Sequence, residues 1–117
     1  MTVKEIAELL EARVVCGEDQ LDYDIKTTFS SDLMSDVLAC VTDQKMLMTG
    51  LCNLQVVRTA EMMDMKCLLF VRDKQPTPDM IEMAGEYDMI IMCTEHRMFT
   101  SSGLLYEKGM RGRMEDV

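Results

Sequence analysis

The chain of 117 residues contains no tryptophan, two prolines, three phenylalanines and a single histidine, His96. One imidazole leaves little scope for a nucleophile–base couple, the usual basis of covalent catalysis by Ser or Cys. Five cysteines, Cys16, Cys40, Cys52, Cys67 and Cys93, are odd in number and include no CxxC pair. That pattern argues against a disulfide framework and a zinc site, and leaves reduced thiols acting as small hydrophobes. No apolar run approaches the roughly 18 to 20 residues that span a bilayer, and runs such as Cys67 to Val71 are strand-sized. Met1-Thr2-Val3-Lys4-Glu5 lacks the basic and apolar regions of a signal peptide, so a cytoplasmic location is expected. Basic runs are missing too. With 12 Lys and Arg against 21 Asp and Glu, the net charge is −9, which argues against nucleic acid as a partner.

What is present is the composition of one folded domain, 48% apolar and 28% charged. Fourteen methionines fill the core that aromatic residues leave open. Thr2 and Glu5 form the two ends of a capping box for a helix over Val3 to Glu11. Arg13 to Cys16 is a short β-branched strand closed by Gly17. Ile25 to Ser30 reads as a strand, and Ser30-Ser31-Asp32 supplies N-cap residues for a helix with Leu33, Met34, Val37, Leu38 and Val41 on one face. Lys45 to Thr49 is a strand, Gly50 breaks it, and Asn53 caps a helix to Asp64. Cys67 to Val71 is a strand apolar throughout, as in sheets covered on both faces. Thr77-Pro78 opens a helix to about Tyr87. Met89 to Cys93 is a further strand, and Thr94 caps a last helix ending at Gly109. Strands alternating with helices predict a three-layer α/β/α sandwich on a mostly parallel sheet of about five strands. Residues 1–110 form a single domain on this reading, with 111–117 a frayed tail.

In open α/β sheets, ligands collect where strand carboxyl ends meet helix N-termini. Four such junctions are present, at Ser30-Ser31-Asp32, Thr49 to Asn53, Arg72-Asp73-Lys74 and Thr94-Glu95-His96. The second carries the most chemistry. Thr49, Gly50 and Asn53 sit at a helix start with Arg58 about one turn further on, and Arg72 follows the next strand. These five residues are the candidate ligand site, suited to a small anion, a nucleotide among the candidates. Neither GxxxxGK[ST] nor GxGxxG occurs, so phosphate hydrolysis and dinucleotide binding of the usual forms are excluded. No catalytic, metal or cofactor site is expected. Cys52 beside a helix N-terminus admits a second reading, a redox-sensing thiolate with a lowered pKa.

The order of segments Ser31 to Ala39, Thr49 to Glu61 and Phe70 to Pro76 resembles the DRTGG domain family, from Val3 to about Gly109. The resemblance implies a fold like the N-terminal domain of HPr kinase/phosphorylase and of some Mur ligases. It implies a regulatory or accessory module beside a partner enzyme, often at a dimer interface, with no catalytic residues. The family's Asp-Arg would fall at Cys52-Asn53 and its Thr-Gly-Gly at Val71-Arg72-Asp73, so none of the five naming residues is kept. Losing Gly-Gly removes close backbone approach, while Arg72 offers an anion a charge-assisted contact. These departures shift weight toward the alternative function, homodimerisation or protein interaction without a ligand.

Overall fold

The computed structural model describes residues 1–117. Five strands form one sheet: β1 (Arg13–Cys16), β2 (Thr28–Ser30), β3 (Met46–Thr49), β4 (Cys67–Phe70) and β5 (Ile90–Cys93). They lie in the order β1-β5-β4-β3-β2, with β2 to β5 parallel and β1 antiparallel on β5. The helices are α1 (Val3–Leu10), α2 (Met34–Cys40), α3 (Leu54–Met62), α4 (Pro78–Glu86) and α5 (Met98–Glu107). The expected three-layer α/β/α architecture with a mostly parallel sheet is thus what the chain adopts.

Strand alternation divides the core. Leu47, Leu68, Phe70, Ile91 and Cys93 face α2, α3 and α4, where Val37, Val56, Val57, Ala60, Met80 and Ala84 are buried. Met46, Met48, Cys67, Leu69, Ile90 and Met92 face α1 and α5 through Val3, Ile6, Leu10 and Leu105. Side chains on alternate sides of a strand each find a helix, which is why β3, β4 and β5 are buried at every position. Each fully buried Leu or Ile contributes about 1.5–3 kcal/mol. Helices α2, α3 and α4 all cross on one face and α5 on the other. The carboxyl ends of β4 and β5 therefore send their chains to opposite faces, which makes the gap between them the topological switch point.

Three helix ends share one device. Glu11, Asp64 and Asp88 all have left-handed backbone, with φ of 53°, 57° and 57°. The next amide in each case returns to an alanine carbonyl five residues back: Ala12 to Ala7, Met65 to Ala60 and Met89 to Ala84, all at 2.8 Å. This closes orphan carbonyls as glycine-ended helices do. Because the left-handed residue is acidic and not glycine, the sequence pattern does not announce it. At Gly17, φ is 79° and a Cβ would strike Ile90, so β1 can end there only on glycine.

Two local expectations are corrected. Thr94 does not cap α5, whose N-cap is Arg97. The Thr94 hydroxyl donates to the Leu10 carbonyl at 2.8 Å and ties β5 to the end of α1. Asp32 does not cap α2 either: Leu33 is the N-cap, and the Ser31 hydroxyl takes the Leu33 amide at 3.0 Å. Past Met110, the Arg111 carbonyl accepts from the Thr28 amide and the Gly112 carbonyl from the Gln44 side chain. A short 3-10 turn, Met114–Asp116, follows on exposed residues. No helix is long and apolar enough to cross a membrane.

Candidate functional site

The β3 terminus places Thr49 and Gly50, both buried, at the carboxyl edge of the sheet. Asp32, from the loop after β2, turns its carboxylate onto them. Its Oδ1 accepts from the Gly50 amide at 2.7 Å and from the Thr49 hydroxyl at 3.2 Å. Its Oδ2 lies 3.4 Å from a terminal nitrogen of Arg72, which follows β4. The Asp32 and Arg72 side chains remain about half exposed, at 49% and 47%. Three donors from two strands, an amide, a hydroxyl and a guanidinium, therefore converge on one carboxylate. The donors are those of an anion receptor, and the chain's own carboxylate holds them. No cavity opens at this point; the five depressions of the surface involve other residues.

Gly50 leaves room for the side chain that lies above it. A Cβ there would collide with the Arg72 guanidinium, so glycine lets the cation lie flat over the β3 terminus. Arg72 is aimed by its backbone. Arg72 and Asp73 both take left-handed conformations, φ 64° and 58°. These are the two positions at which the resemblance sets a glycine pair. The backbone bend that glycine favours is therefore kept without glycine, at a cost of about 1 kcal/mol or more per residue. Two hydrogen bonds hold it: the Arg72 amide to the His96 carbonyl at 2.9 Å and the Asp73 amide to the Thr94 carbonyl at 3.0 Å. These bonds bridge the switch point between β4 and β5, closing that gap while throwing the Arg72 side chain back toward β3.

Of the five candidate residues, Thr49, Gly50 and Arg72 are thus gathered in one place. Asn53 is not part of that group: its side chain accepts from the Val56 amide at 3.0 Å, which is N-cap chemistry for α3. Arg58 is exposed on α3 and makes no hydrogen bond or ion pair, as its position one turn into the helix carries it away from the strand end. Asp32 is the member that the sequence reading misses. It lies at another of the four junctions, and nothing local joins it to Thr49, Gly50 and Arg72, which are 17, 18 and 40 residues away.

The thiol reading is corrected on chemistry. Burial pushes the Cys52 thiol up, and the opposing pull of Lys74 is the smaller effect. A raised pKa is the opposite of what a reactive thiolate needs. Burial likewise raises Cys16, raises Cys67 strongly, and pushes Cys93 up to about 11. Cys52 packs on the core beneath α3 and α4, with its sulfur 4.0 Å from that of Met80. His96 lies toward α1, with Nε2 3.7 Å from the Glu11 carboxylate. Cys52 and His96 therefore form no couple.

The amino ends of the strands carry different ion pairs. Lys45, before β3, meets the Asp64 carboxylate at 2.9 Å. Lys66, before β4, meets that of Asp88 at 3.1 Å and lies 5.5 Å from the centre of the Tyr23 ring. A depression of about 230 Å³ runs between these groups. Both lysines are tied to the left-handed acidic residues that end α3 and α4, so they serve the turns.

Fold and junction together define a three-layer α/β domain with charge positioned at the carboxyl ends of its strands. The family model of the DRTGG domain matches residues 5–107, and the chain belongs to the DRTGG domain family. Among solved structures, it is similar to the CBS and DRTGG domains of the regulatory region of Clostridium perfringens pyrophosphatase, a structure complexed with the activator diadenosine tetraphosphate. The TM-score is 0.73 at 16% identity, over 89% of this chain and 45% of that one. The chain thus spans less than half the length of that neighbour, and the likeness is one of fold. Among curated proteins none matches.

Proposed function

We propose that this chain is a non-catalytic regulatory module that receives a small anionic ligand, a nucleotide by preference, at the junction of Thr49, Gly50 and Arg72. The observation that carries the reading is the convergence of the Gly50 amide, the Thr49 hydroxyl and the Arg72 guanidinium on a single carboxylate. Asp32 stands in for the ligand's anionic group in the empty state, and phosphate oxygens exchange with it. A half-exposed internal carboxylate suits that exchange, since it keeps buried donors paired without sealing them from solvent. Asn53 and Arg58 drop out of the binding set. The solved neighbour adds support for the ligand class, because its regulatory region is complexed with a dinucleoside tetraphosphate.

On this reading the module acts on a partner enzyme. Its five free cysteines suit a reducing cytoplasm. The test is a thermal-shift and calorimetric titration of the whole chain with inorganic phosphate, ATP and diadenosine tetraphosphate. Ligand at about a hundred times its dissociation constant stabilises a folded protein by about 2.7 kcal/mol. A rise in melting temperature with at least one polyphosphate is expected. No shift with any of the three at millimolar concentration contradicts the proposal.

A further inference from the structure

Glu11, Asp64 and Asp88 are single left-handed residues, each closed by one amide returning to an alanine carbonyl. Arg72 and Asp73 are different. They are two such residues in succession, neither of them glycine, and a bend of that kind persists only where its surroundings over-determine it. Its immediate supports are the His96 and Thr94 carbonyls, which accept from the Arg72 and Asp73 amides. What holds those supports comes from a distant part of the chain, the residues Leu10 to Arg13 that lead from α1 into β1. The buried Thr94 hydroxyl donates to the Leu10 carbonyl at 2.8 Å and accepts from the His96 amide at 3.2 Å, so one oxygen fixes both supports to the end of α1. The His96 imidazole lies 3.7 Å from the Glu11 carboxylate. On the other side of the bend, the Arg13 guanidinium donates to the Gln75 side-chain oxygen at 3.1 Å, and the Gln75 side-chain nitrogen donates to the Asp73 carboxylate at 3.3 Å. Three separate ties on one bend thus start from one short turn. None of them passes through Thr49, Gly50 or Asp32.

We infer that the α1–β1 turn, Leu10 to Arg13, is a clamp that holds the Arg72–Asp73 bend and so sets the anion affinity of the junction from outside it, with Thr94, His96 and Gln75 as the positioning residues. The effect on affinity rests on the ligand reading given above, whereas the hold on the bend does not. Side-chain aim follows backbone conformation: the Arg72 guanidinium lies over Gly50 from a left-handed residue, and from the ordinary right-handed or extended regions the same side chain leaves in another direction. A shift of α1 therefore changes what Arg72 offers an anion, although α1 makes no bond to the junction. By linkage, an anion held on Arg72 steadies the turn in return.

Amide hydrogen exchange of the whole chain, read by NMR without ligand, tests the hold in Arg13→Ala and Thr94→Val. Both variants are expected to speed exchange at the Arg72 and Asp73 amides at least about tenfold relative to the Met65 amide, which closes the single left-handed turn after α3. Thr94→Ser, which keeps the hydroxyl, is expected to restore the wild-type rates. Calorimetry with inorganic pyrophosphate then reads the junction, where affinity is expected to fall about threefold or more in both variants, in the range by which substitutions outside a site alter coupling. Asp73→Gly separates this from a general loss of stability, because glycine takes the left-handed bend unaided. In that background Thr94→Val should no longer lower pyrophosphate affinity, while it still lowers the melting temperature. Wild-type exchange at Arg72 and Asp73 in both variants overturns the inference. So does an affinity loss on Thr94→Val that is as large in the Asp73→Gly background as without it. Faster exchange at the bend in a chain that binds no pyrophosphate overturns the ligand reading, and with it the effect on affinity, while the hold on the bend stands.

Discussion

The two ends of the parallel sheet use the same materials for different ends. At the amino end, Lys45 with Asp64 and Lys66 with Asp88 join each strand to the turn of the helix just before the next strand. Each pair is one cation and one carboxylate, and Asp64 is 95% exposed. At the carboxyl end, one carboxylate holds three donors that come from β3 and the loop after β4, and two left-handed residues aim one of them. The amino end repeats a fastening that could be replaced by glycine and water. The carboxyl end is a single assembly, and conformational strain is kept there only because backbone bonds to Thr94 and His96 hold it. Left-handed backbone, a glycine beneath the Arg72 guanidinium and converging donors coincide there.

The contrast can be broken or sharpened by substitution. Arg72→Ala has the largest expected effect. Losing a charge-assisted contact worth about 1.5–3 kcal/mol lowers anion affinity at least tenfold by calorimetry. Its effect on stability should be small, since the pair with Asp32 is half exposed and worth little by itself. Equal affinity in wild type and variant would remove Arg72 from the site.

At the amino end the sign should reverse. Asp64→Gly trades an exposed ion pair for a residue at ease in left-handed backbone, so denaturant unfolding should show a gain of up to about 1 kcal/mol. A loss above that size would mean the Lys45–Asp64 pair is more than a fastening. The smallest effect concerns Glu5, whose carboxylate accepts from the Thr2 amide at 2.9 Å while its own amide donates to the Thr2 hydroxyl. That backbone hydrogen bond holds the Glu5 carboxyl below its ordinary value of 4.5. Its folded pKa being depressed, its contribution is present above the ordinary value and lost as pH falls through the folded one. Glu5→Gln should therefore lower stability slightly at neutral pH and leave it almost unchanged at pH below the folded value, which flattens the acid limb. An unaltered acid limb would count against the capping box.

Much of this was legible in the residues. The alternation of apolar strands with capped helices gives the three layers and the order of elements, since Thr2, Asn53 and Thr77 cap as their positions predict. Three of the five candidate site residues meet. What stayed hidden depends on contacts distant in sequence or on backbone that the residue type conceals. Asp32 reads as a helix cap because its neighbours Ser30 and Ser31 suggest one, and only the folded sheet brings Gly50 and Arg72 to it. Arg72 and Asp73 read as the loss of a glycine pair, although their φ values keep its bend. Thr94 looks like a cap for α5 until its hydroxyl is found on the Leu10 carbonyl.

On the proposed reading, Asp32 occupies an anion receptor from which a ligand displaces it. Calorimetric titration of ATP and inorganic pyrophosphate into wild type and Asp32→Asn tests this most directly. The variant keeps an oxygen for the Gly50 amide while losing the negative charge. Asp32→Asn should bind the polyphosphates at least about tenfold more tightly than wild type, in line with removal of a competing like charge. Affinity that is unchanged or weaker in Asp32→Asn, or absent from both proteins, would contradict it.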